Sequence, residues 1–129
     1  MDYRILDLFI KENDAWDHMI NRQRVELPQL DAQINHLVEE RKDQLKEERT
    51  RIFEHLRREM AAQQLTMELL SEELAVQQTR LAQERRRHME DVLASKALDS
   101  QNVLRNRIRD VEKRFVELKC NYLNYVATV

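Results

Sequence analysis

The chain has 129 residues, no glycine, one proline, 36% charged residues and a formal net charge of −2. Glycine and proline turn a chain tightly, so their scarcity excludes a fold of many short strands and leaves nothing to build a phosphate-cradling loop, a nucleophile elbow or a dinucleotide fingerprint. Acids and bases are interleaved, which gives no basic footprint for nucleic acid, and no apolar run approaches the ~18 residues of a membrane span.

Stepping along the chain by alternating threes and fours predicts a first helix over about 3–43. Its seam reads Leu6, Phe9, Asn13, Trp16, Ile20, Gln23, Leu27, Leu30, Ile34, Leu37, Arg41 and Gln44. The opening Met1-Asp2-Tyr3-Arg4 lacks the basic start and apolar stretch of a signal peptide. The single cysteine, Cys120, cannot close an internal disulfide, and together these point to a reducing, cytoplasmic setting. Pro28 falls inside the seam without breaking its register. An interior proline removes a hydrogen bond and costs about 3 kcal/mol, so a kink near Arg24–Leu27 is expected, or a short break with Pro28 opening the next helix.

The same register cannot continue. Extended forward it would place Glu48, Arg51, His55 and Arg58 on the seam, so the phase predicts a reversal at 43–48. No turn-forming residue marks it, since the stretch reads Glu40-Arg41-Lys42-Asp43-Gln44-Leu45-Lys46-Glu47-Glu48-Arg49. The competing arrangement is one helix from about Pro28 to Leu93, with Val38, Leu45 and Ile52 as a thin bridging stripe.

A second helix is predicted over about 47–93, with Phe53, Leu56, Met60, Gln63, Met67, Leu70, Leu74, Gln77, Leu81, Glu84 and His88 on its seam. Ser95, Asp99 and Ser100 can each cap a helix N-terminus, which predicts a turn near Ala94–Ser100 and a third helix over about 99–127. Its seam is Leu104, Ile108, Val111, Phe115, Leu118, Tyr122, Tyr125 and Val129. Across the three blocks 23 of 31 seam positions are apolar or aromatic against 42% of the chain, so the periodicity is not composition alone.

These elements make one all-α domain over 1–129, an antiparallel three-helix bundle of long coiled-coil-like helices. A third helix of about 29 residues starting beside the N-terminus would cover the first only to about residue 30. Residues 31–62 would then project as a two-helix hairpin, and its charged tip around Val38–Glu59 is the expected meeting point for a protein partner.

Candidate chemistry is sparse. His36 with Glu40 and His55 with Glu59 have the i,i+4 spacing that puts two ligands on one helix face. A di-iron bundle needs an acid three residues before each histidine, but Ala15, Gln33, Ile52 and Arg85 stand there. His18 and His36 fall outside the seam and read as solvated. Glu84 and His88 both fall on the seam one turn apart, able to pair with each other or with Arg4 and Asp7. A metal-binding bundle using His55, Glu59, Glu84 or His88 is therefore the alternative to a chain with no metal and no cofactor. Asn13, Gln23, Gln63 and Gln77 read as polar seam residues that set pairing specificity. Arg85-Arg86-Arg87 fan across the helix surface beside Glu84, Glu90 and Asp91, which leaves weak nucleic-acid association as a third reading. Carboxylates are abundant but mostly outward-facing, where nothing raises a pKa, so no enzyme is expected.

One pattern exceeds what a simple bundle needs. Val116, Cys120, Leu123 and Ala127 form a second stripe on the third helix, spaced four, three and four, away from its seam. Leu69 and Val76 are a shorter echo on the second helix. A helix apolar on two faces is buried on two faces, so the stripe predicts self-association as a dimer, with Cys120 buried in it. Its alternative is packing under the first turns of the same chain.

Three stretches carry a family likeness: Trp16 in an early amphipathic helix, Ile52-Phe53-Glu54-His55-Leu56, and the closing helix from Leu104-Arg105-Asn106-Arg107 to Tyr122-Leu123-Asn124-Tyr125. On these the chain resembles short bacterial coiled-coil proteins of uncharacterised function. The resemblance implies a cytoplasmic helical bundle and supplies no activity. The function expected from the sequence is a non-enzymatic structural or protein-interaction bundle.

Overall fold

The computed structural model describes residues 4–87 and 90–128, with only the backbone described at 87 and 90–95. Three helices account for nearly all of it: α1 (Arg4–Glu40), α2 (Glu47–Arg87) and α3 (Glu90–Thr128). They pack against one another as an all-α three-helix bundle. Gln63 and Gln77 of α2 bond to Val111 and Gln101 of α3, so these two helices run antiparallel. Gln101 and Tyr122 of α3 bond to Asn13 and Gln33 of α1, so α1 and α3 run parallel.

The heptad seams are the core. Leu6, Ile20, Leu27 and Ile34 of α1, Phe53, Met60, Met67 and Leu81 of α2, and Leu104, Ile108 and Leu118 of α3 are all buried. Burying such a seam supplies most of the stability of helices with little intrinsic preference between partners. Trp16 and Leu37, also seam residues, stay half-buried at the edge of this core.

The chain reverses between Glu40 and Glu47, where the phase change places it, so the single long helix is not formed. Leu45 and Gln44 return their N–H groups to the Arg41 carbonyl, and Leu45 packs on the core from the turn as Val38 does from the end of α1. The first turn of α2 carries Glu47 and Glu48, which suit the positive end of a helix dipole.

The second boundary differs from expectation. α2 ends at Arg87 rather than near 93, and α3 begins at Glu90 rather than near 99. Ser95, Asp99 and Ser100 lie inside α3 rather than at its start. Ala97 and Gln101, 1% and 0% exposed, extend the α3 seam backward through the stretch assigned to a turn.

That shift removes the projecting hairpin. Starting α3 nine residues earlier slides it about 13 Å along the bundle, so its last turns reach the α1–α2 turn. Tyr125 packs edge-on against Phe53 and donates its hydroxyl to the Arg49 carbonyl, while Arg49 donates to Thr128 Oγ1 at 2.6 Å. Tyr122 donates to Gln33. The segment 38–59 is thus no free tip, because it holds the core residues Phe53 and Leu56.

α1 is continuous through Pro28, so no second helix opens there. Pro28 faces solvent, where water can reach the carbonyl it leaves without a helical partner. Pro28→Ala is expected to stabilise the chain by about 2 kcal/mol, the interior helix cost less the entropy proline removes from the unfolded state. Guanidinium unfolding midpoints of the two proteins test this.

Candidate interaction surface

Inside the bundle, a polar layer divides the core. Asn13 of α1, Gln77 of α2 and Gln101 of α3 are all buried at one level, each flanked by apolar seam residues. The Gln101 amide nitrogen lies 2.6 Å from Asn13 Oδ1 and 2.8 Å from Glu12 Oε1, and Gln77 Nε2 donates to Gln101 Oε1 at 3.4 Å. Arg105 clamps Glu12 from outside and lies over the Trp16 ring. On one side of the layer is the main core. On the other is a small cluster of Leu6, Phe9, Leu81 and Ala97. Of the polar seam residues legible in the sequence, Gln63 finds the Val111 carbonyl at 2.9 Å, and Gln23 Oε1 is buried without a partner.

The candidate ligands do not converge. His55 pairs with Glu59, but Arg114 of α3 also binds Glu59 and opposes any added cation. Glu84 stands 29 residues further along α2, about 43 Å away at helical rise, so it cannot share a site with His55. Burial pushes the Glu84 carboxyl above its ordinary pKa, with Arg80 opposing the shift, and its Oε2 has no hydrogen-bond partner. Asp7, a candidate partner for it, pairs instead with Arg85 at 3.0 Å. His88 lies outside the described residues. His36 pairs with exposed Glu40, and His18 with Asp14 one turn back. Among the described residues no three His, Cys, Asp or Glu side chains gather closely enough to hold a metal. Arg85 is engaged by Asp7 and Arg86 is exposed, while the side chain of Arg87 lies outside the described residues.

Outward faces are more informative. Val116 and Leu123 are 53% and 55% exposed, and Cys120 and Ala127 lie exposed beside them. The stripe does not pack under the first turns of its own chain. In the single chain Cys120 is therefore open to solvent, not buried. From Cys120 to Thr128 no residue is charged, in a chain where more than a third are.

Leu69 and Val76 belong to a different surface. They line a groove between α2 and α3 together with Val103, which the sequence reading did not single out, and Arg107 crosses it to Glu73. Antiparallel pairing brings Val103 there, and no local pattern announces it. The rims between helices are laced by ion pairs: Arg57 with Asp31 between α1 and α2, and Lys119 with Glu26 and Arg105 with Glu12 between α1 and α3. Exposed pairs of this kind are worth under about 1 kcal/mol each and chiefly select which rims meet.

No helix among the described residues is long and apolar enough to cross a membrane. No family of known proteins, no curated protein and no solved structure matches the chain.

Proposed function

We propose that this chain is a non-enzymatic structural and protein-interaction bundle that self-associates through the outer face of α3. The observation that carries the reading is the stripe Val116, Cys120, Leu123 and Ala127, an apolar row at heptad spacing on the outer face of α3 whose two large members are each more than half exposed. A heptad-spaced apolar row facing solvent is what a helix offers to another helix. Asn13, Gln77 and Gln101 are buried in a hydrogen-bonded layer between the helices rather than gathered around a cleft, which suits recognition better than reaction chemistry. The reading includes a reducing, cytoplasmic setting, as the lone cysteine suggests.

Sedimentation equilibrium tests it. The wild-type chain is expected at twice its monomer mass. Leu123→Glu is expected at the monomer mass with its helicity unchanged, because the substitution lies outside the core. A variant that keeps the dimer mass, or a wild-type chain monomeric at 100 µM (an order-of-magnitude choice set by weak helix-pair affinities), overturns the reading.

A further inference from the structure

We propose that the α3 stripe takes the α3 of a second copy in antiparallel orientation, with a two-fold axis between Cys120 and Leu123. This deepens the preceding reading and rests on it. Side-chain size and flanking charge both favour this pairing. About that axis Leu123 meets the partner's Cys120 and Val116 meets the partner's Ala127, a large side chain against a small one in every layer, which interdigitates without voids. A parallel arrangement would stack Leu123 on Leu123 and Val116 on Val116 and leave the small residues facing each other.

The flanking residues point the same way. In the antiparallel pair Glu117 comes beside the partner's Asn124 and Lys119 beside the partner's Val126, so no two like charges meet. In a parallel pair the helix edges bring Glu112 against the partner's Glu117, and the two-fold repeats that repulsion on the other side. The run from Cys120 to Thr128 contains no charge to strip of water. It lies where the two-fold crossing would bury it most completely.

This orientation fixes the shape of the assembly. Only the ends of the two bundles near the α1–α2 turn overlap. The α2–α3 ends point away from each other, each about 47 Å from the axis at helical rise. The dimer is an elongated spacer with two identical far ends about 95 Å apart, whereas a parallel dimer would be about as long as one bundle, roughly 60 Å.

Cross-linking distinguishes the possibilities. Two single-cysteine chains are prepared in the Cys120→Ser background, one carrying Val116→Cys and one Ala127→Cys, then refolded together and treated with a short bismaleimide. The expected product is the mixed 116–127 dimer, with little cross-linking when Val116→Cys is treated alone, since those two sites would lie about 16 Å apart. Efficient cross-linking of Val116→Cys to itself, with the dimer mass retained, overturns the orientation and leaves self-association standing. A monomer mass for wild type overturns self-association itself. Small-angle scattering of the wild-type dimer should give a maximum dimension nearer 95 Å than 60 Å, and the shorter value counts against the antiparallel pair.

Discussion

Phe53→Ala is expected to destabilise the chain by about 3–5 kcal/mol, the range for emptying an aromatic site in a core that relaxes only in part. Phe53 is 1% exposed, and it receives the edge of Tyr125 from the last turns of α3. That contact is one of several that fasten the end of the bundle. The Tyr125 hydroxyl donates to the Arg49 carbonyl, the Arg49 guanidinium lies 5.7 Å from the Tyr125 ring centre, and the same group donates to Thr128. Without the Phe53 ring these lose their common support. Equilibrium unfolding in urea, with the slope checked for two-state behaviour, measures the cost. Tyr125→Phe isolates the hydroxyl and should cost only about 1 kcal/mol, the net worth of one hydrogen bond. If α1 and α2 projected as a bare hairpin here, Phe53 would lack its third-helix neighbour, and the alanine substitution would cost less than about 2 kcal/mol.

The contrast between a packed end and a projecting one shows what the sequence made legible. The seams were readable because a 3.5-residue period in apolar residues has one physical use. Every seam residue from Phe53 to Glu84 that the heptad walk named is buried. The α1–α2 reversal was readable from phase alone, since the residues at 43–48 would have passed as helix. The α2–α3 boundary misled for the converse reason. Ser95, Asp99 and Ser100 are good caps by side-chain chemistry, yet a cap needs a helix start to cap, and these residues lie inside a helix that already begins at Glu90. Misplacing that boundary hid Ala97 and Gln101, and with them the third member of the polar layer and the true reach of α3. The stripe on α3 was legible because it lies on a single helix with its own heptad spacing. The groove formed by Leu69, Val76 and Val103 was not, because its walls come from two helices and depend on their antiparallel offset.

Gln101→Leu should cost about 3 kcal/mol even though it places an apolar residue in an apolar-lined core. Gln101 is fully buried and joins all three helices through Gln77, Asn13 and Glu12. Removing it leaves Asn13 Oδ1 and Gln77 Nε2 buried without partners, each at the desolvation cost of an unpaired polar group. Asn13 Nδ2 already has no partner, so Asn13 would then be unsatisfied at both ends of its amide. Replacing the whole layer is a different experiment. With Asn13→Leu, Gln77→Leu and Gln101→Leu combined, no orphan remains, and the triple variant should be as stable as wild type or more so. The single and triple changes are therefore strongly non-additive, which unfolding curves for the three single variants and the triple would show. The triple variant should lose uniqueness instead. The amides match only when Asn13, Gln77 and Gln101 stand at one level, so they penalise a one-heptad slip of any helix, whereas a leucine layer accepts neighbouring registers almost equally. Amide NMR spectra of the triple variant should show more than one set of resonances for residues flanking the layer. A single sharp set, or a Gln101→Leu protein as stable as wild type, would mean that the layer neither holds the three helices in register nor depends on its own completeness.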